Sequence, residues 1–141
     1  MTDTLAPILN GLGRGLPLLL LHFGATLALL ALGVAAIMAI SPFNERELVT
    51  KGDAAAGLVL AGSVVSLAIP LAAKLAASDV LLDIVIWGLI ALLLQLATFK
   101  LATLFFRDLR RQIEAGNVAA ACPLAAAQLA VALLNAAAVS G

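Results

Sequence analysis

The side chains that could do chemistry stand nearly alone in this sequence. His22 is the single histidine and Cys122 the single cysteine of 141 residues, and tyrosine is absent. A histidine binds a metal or relays a proton with the help of partners. Here the sequence shows no Cys–His spacing of a metal site, no phosphate-binding glycine loop and no paired carboxylates facing a pocket. His22 is therefore expected to be an interfacial polar contact. Cys122, set in "AAACPLAA", is expected to be a packing residue. One cysteine excludes an intramolecular disulfide and a cysteine-only zinc site. The expectation is no catalytic residue, no metal, no cofactor and no enzyme. A net charge of zero gives no reason to expect a nucleic-acid partner.

What remains is a set of amides inside apolar runs. Gln95 and Gln128 fall near the middle of two such runs, with Thr98 and Asn135 in the same stretches and Ser66 in another. Polar groups at that depth are expensive, so each asks for a partner. Two chemistries fit. The glutamines can hydrogen-bond each other and clamp two helices, or the group can line a narrow path for a small solute. The clamp is the simpler expectation. A carrier would put a charge at mid-depth, whereas Asp83 and Lys100 both fall near the ends of their run.

The elements that must position these residues follow from composition. The chain is 64% hydrophobic and 11% charged, with a mean hydropathy of +1.17. A soluble domain of this size could not hide that much apolar surface. The expected class is an all-α integral membrane protein whose surroundings are the lipid bilayer. Four runs approach the roughly 20 apolar residues that cross a bilayer as a helix: 16–40, 54–73, about 83–106, and 118–139. The first can also be read as a signal peptide, with Arg14 before it and "ALG" at 31–33 as a cleavage site. Its apolar run is longer than a signal core, which favours a retained helix.

Shifting the sequence by 64 residues aligns loops and spans together. Gly52 falls on Gly116, Asp53 on Asn117, Leu60 on Leu124, Arg46 on Arg110 and Gly24 on Gly88. The expected organisation is a short tail at 1–15 and two helical-hairpin repeats at 16–77 and 78–141. Asp53 and Asn117 are expected to cap the second helix of each repeat. Those second helices carry small residues four apart: Gly57 with Ala61 and Gly62 with Ser66, then Ala121 with Ala125 and Ala126 with Ala130. Such pairs let helices approach closely in lipid, and they are the expected packing face.

Basic residues set the orientation. Arg46, Lys51, Arg107, Arg110 and Arg111 follow the first and third spans, against Arg14 and Lys74 on the other side. The positive-inside rule then puts both charged loops in the cytoplasm and both termini in the periplasm, with the two repeats parallel. In "FFRDLRRQIEAGN" a short interfacial helix is expected, with Phe105, Phe106, Leu109 and Ile113 toward lipid.

Two halves of this kind, with "KGDAAAGLVLAG" and "IEAGNVAAACPLA" after basic loops, resemble the DUF350 family, also called UPF0719. The resemblance covers nearly the whole chain. It implies a small bacterial inner-membrane protein and carries over no catalytic activity. Some members of the family resemble parts of gene neighbourhoods with phage-shock-type and ATP-grasp proteins, which implies a link to envelope stress or to a membrane complex. Two functions are therefore expected to compete. One is a structural or interaction subunit, as a homo-oligomer or within a larger membrane complex. The other is an oligomeric channel or carrier for a small ion or solute.

Overall fold

The computed structural model describes residues 2–106 and 108–141. They form six helices and no strand: α1 (Thr2–Ile40), α2 (Glu45–Thr50), α3 (Ala54–Ala77), α4 (Leu81–Phe105), α5 (Leu109–Glu114) and α6 (Val118–Ser140). Four of them, α1, α3, α4 and α6, are long and apolar enough to cross a membrane. The protein is an all-α integral membrane protein. Spanning helices are the natural solution for such a chain, because a helix satisfies its own backbone hydrogen bonds in a medium without water.

The breaks between spans come from local chemistry. α2 and α5 each end in a glycine with positive φ, +83° at Gly52 and +79° at Gly116. Gly52 N donates to the Val49 carbonyl and Asp53 N to the Leu48 carbonyl. Gly116 N donates to Ile113 and Asn117 N to Gln112 in the same pattern. This is the Schellman close of a helix, which needs a residue without Cβ at the left-handed position. The next residue caps the following helix: Asp53 Oδ1 accepts from Ala56 N at 3.0 Å, and Asn117 Oδ1 from Ala120 N at 3.4 Å. The Gly-Asp and Gly-Asn pairs therefore stop one helix and start the next within two residues.

α3 is the centre of the bundle. Half of its apolar window is buried, against 17% for α1. Its most extensive neighbour is α6, and it also packs on α1 and α4. Arg110 of the α5 segment lines a cleft with Ser41, Pro42 and Glu45, so both charged corners sit at one end of the bundle. Hence α1 and α4 run one way, and α3 and α6 the other.

Two expectations change. Residues 2–15 are not a tail apart from the first span but continue α1, and Pro7 and Pro17 lie inside that helix. Leu109 and Ile113 do not face lipid; they are buried in the core beside Ala121 and Leu124, while Phe105 and Phe106 are the exposed pair. Arg107, one of the five basic residues counted on the loop side, lies outside the described residues.

Candidate functional site

Helix periodicity and close approach together build one polar layer inside the bundle. α3 and α6 approach closely at Gly62. A Cβ placed on it would sit 2.9 Å from Ala125 Cβ and 3.3 Å from Ala125 Cα. Ser63 and Ser66 of α3, Gln95 of α4, and Gln128 and Asn135 of α6 are all buried, with Gln128 beside this contact.

Their hydrogen bonds tie three helices together. Gln95 Nε2 donates to the backbone carbonyl of Gln128 at 3.2 Å. Asn135 Nδ2 donates to the carbonyl of Ala91 at 3.1 Å and to Gln95 Oε1 at 3.4 Å. Ser63 Oγ donates to the Val59 carbonyl at 2.8 Å and lies 3.1 Å from Gln128 Oε1. Ser66 Oγ donates to the carbonyl of Ser63. A hydroxyl has one proton, so both contacts of Ser63 are satisfied only if the Gln128 amide turns its nitrogen toward Ser63. In either orientation one polar atom of that amide is left over. Gln128 Nε2 and Asn135 Oδ1 are buried without a hydrogen-bond partner.

The expected direct pairing of the two glutamine side chains gives way to a longer chain, Asn135 to Gln95 to the Gln128 backbone. The reason is reach. Gln128 turns toward α3 and its side chain meets Ser63, leaving only its carbonyl for α4. Thr98 is spent on its own helix, donating to the Leu94 carbonyl.

The small-residue pairs separate into two groups. Gly62, Ser66, Ala121 and Ala125 are buried, with Gly62 against Ala125. Gly57 has nothing near the position of a Cβ, and Ala61, Ala126 and Ala130 are exposed. Each of these lies on α3 or α6 but is rotated away from the shared face. Cys122 is exposed rather than packed. His22 is half-buried on α1, where its carbonyl accepts from Thr26 Oγ1 at 2.7 Å. At the other end of the bundle Lys74 pairs with Asp83 at 2.9 Å and lies over the Trp87 ring at 5.8 Å, fastening α3 to α4.

Sequence reading missed two residues. Ser63 lay one step from the predicted Gly62–Ser66 pair, and an i,i+3 serine pair in an apolar helix is the signal that points to it. Glu45, in the first turn of α2, is 2% exposed, with Oε1 unpartnered. The 64-residue shift carries it onto buried Leu109, so a carboxylate occupies an apolar position. Burial lifts its carboxyl above the usual glutamate range, and the Ser41 hydroxyl only partly offsets this. A raised pKa means that the folded state favours the protonated acid. The associated stability is fully present below the ordinary value of 4.5 and is lost as pH rises through the raised value. Glu45→Gln should therefore stabilise the protein at neutral pH and have little effect at acid pH. Thermal melts of both proteins across pH would show the gap widening upward; a gap that widens toward acid would refute this.

Residues 11–139 match the family described as Domain of Unknown Function (DUF350). The chain is 34% identical over 98 residues to the UPF0719 inner membrane protein YjfL of Escherichia coli (strain K12), covering 70% of this chain and 74% of the relative. The same protein of Escherichia coli O157:H7 matches to the same extent. No solved structure matches. A match over nearly the whole chain, together with a relative of this identity and coverage, makes the protein a member of the DUF350 family.

Proposed function

We propose that this is a non-enzymatic inner-membrane protein that serves as a structural or interaction subunit of a membrane complex, with a role in envelope stress. The observation that carries this reading is the amide layer. Gln95 and Asn135 are engaged in bonds between helices, which fits a bundle built to hold its shape. The name of the relative supports the inner-membrane location. The matching Schellman-and-cap corners at 52–53 and 116–117 support a tandem repeat of parallel hairpins. Purification from native membranes tests the reading. It should recover an assembly larger than one chain, as a homo-oligomer or with other subunits, and a monomer alone would count against it.

A channel or carrier for a small ion or solute is the second reading. The unpartnered Gln128 Nε2 and Asn135 Oδ1 favour it, because polar atoms stranded at depth often face a hydrated path.

The orientation follows from the basic loops, with both termini in the periplasm. Cysteines introduced as Thr50→Cys and Gln112→Cys, in a Cys122→Ser background, should be shielded from a membrane-impermeant thiol reagent in intact cells. Labelling of either from outside would invert the topology.

A further inference from the structure

Three clefts join into one groove along a side of α1. Phe23, Leu27 and Leu30 of α1 face Ala68 and Ala72 of α3 across the first. Leu27 and Leu30 continue into a second, with Val34, Met38 and Val64. Met38 also lines the third, with Ser41, Glu45, Arg46 and Arg110.

Helix spacing makes the first two clefts apolar. Residues 23, 27, 30, 34 and 38 recur at three or four and form one stripe on α1. At 100° per residue, Val64, Ala68 and Ala72 share a stripe of α3 with Gly57 and Ala61. Gly57 and Ala61 are the small residues turned away from α6, and short side chains along this stripe leave room beside α1. From Phe23 to Met38 the groove runs about 22 Å at 1.5 Å per residue. That exceeds the roughly 15 Å spanned by half of a hydrocarbon core. Among the described residues no charged side chain lines this part.

The third cleft differs in kind. Arg46 of α2 and Arg110 of α5 reach it from the two charged corners. Among the described residues no carboxylate pairs with Arg46, and Arg110 meets Glu114 through Nε at 2.9 Å. Glu45 lines the same cleft, 2% exposed, with Oε1 unpartnered. Burial favours its protonated form, so it cancels little of the arginines' charge. The groove therefore has a positive end and an apolar length.

We propose that this groove seats one anionic phospholipid, its phosphate between Arg46 and Arg110 and one acyl chain between α1 and α3. Charge at one end and apolar surface along the rest is the distribution of a phospholipid. Guanidinium forks match phosphate oxygens. Basic pockets between spanning helices select anionic headgroups.

Native mass spectrometry tests this on full-length protein released from nanodiscs of equal phosphatidylglycerol, phosphatidylethanolamine and phosphatidylcholine. The wild type should retain phosphatidylglycerol several-fold over the two zwitterionic lipids. Arg46→Gln/Arg110→Gln should erase that preference. Lys51→Gln/Arg111→Gln, which removes the same charge outside the cleft, should keep it. Ala31→Trp, which fills the apolar part, should lower phosphatidylglycerol retention several-fold. All five positions are exposed, so the fold persists in each variant. A wild type without preference would overturn the proposal, and so would equal loss in both double variants, the mark of a general basic surface. Unchanged retention in Ala31→Trp, or displacement of the lipid by an equal concentration of inorganic phosphate, would remove the chain from the groove and overturn it too. A high-yield disulfide between Ala35→Cys chains, in Cys122→Ser protein in membranes, would also overturn it, because a second copy would then cover the groove.

Discussion

Gly62→Leu should take apart the α3–α6 pair, while Gly57→Leu should leave it intact. At Gly62 a first side-chain carbon already meets Ala125 Cβ at 2.9 Å and backbone Cα at 3.3 Å. The backbone of α6 cannot yield as the end of a flexible side chain would. Fitting leucine requires the two helices to separate, and they form the most extensive contact in the bundle. Overpacking of this kind costs about 3 kcal/mol, and separation also exposes Ser63 and Gln128 to lipid. At Gly57 there is open space, so leucine adds only lipid-facing surface. Thermal unfolding in detergent should show a large loss for Gly62→Leu and almost none for Gly57→Leu. Equal effects would mean that α3 presents a different face to α6. Gly33 and Gly88 should lie between these extremes, because leucine methyls stand at 2.8 Å from each of their Cβ positions and can partly turn aside.

The second large effect lies in the amide layer, where the order of the variants carries the information. Gln95→Leu removes the donor to the Gln128 carbonyl and the acceptor of Asn135. It strands part of a buried amide that already has one unpartnered atom, at about 1–2 kcal/mol. Gln128→Leu should be close to neutral. Ser63 keeps its bond to Val59, Gln95 keeps the backbone carbonyl, and an unsatisfied Nε2 disappears. The double variant should then match Gln95→Leu. Two side chains clamping each other directly would give another order, with each single variant worse than the double. The same proteins in liposomes, assayed for K⁺, Na⁺ and proton flux, separate the two functional readings. No flux from any of them is the expected result. A wild-type conductance abolished by Gln128→Leu would make the protein a channel.

Hydropathy carried the class and the spans. Each run near 20 apolar residues is a helix because lipid leaves the backbone no other partner. The corners at Gly52–Asp53 and Gly116–Asn117 are local chemistry and can be read from neighbouring residues. The packing face is different. In a chain this rich in alanine and glycine, small residues four apart occur on every side of α3 and α6, and tertiary rotation decides which side is used. Hence Gly57, Ala61, Ala126 and Ala130 looked equivalent to Gly62 and Ala125 and are not. The start of α1 was misjudged as well. The expected span begins at Leu16, yet the helix begins at Thr2 and runs through Pro7 and Pro17. Ser63 was readable from its i,i+3 spacing with Ser66, whereas Glu45 escaped because its burial is encoded by no periodicity.

The pairing of α3 with α6 also fixes an order of events during synthesis. α3 ends at residue 77, and its main partner begins at residue 118. While the ribosome makes the intervening residues, Gly62, Ser63 and Ser66 sit in the bilayer without the surface that covers them. Close helix contact in lipid gains little until both surfaces are present. The first hairpin is thus a waiting intermediate, and the entry of α6 into the membrane locks the core. Chains stalled before that span should be the ones that a membrane protease recognises, because their polar stripe is still open.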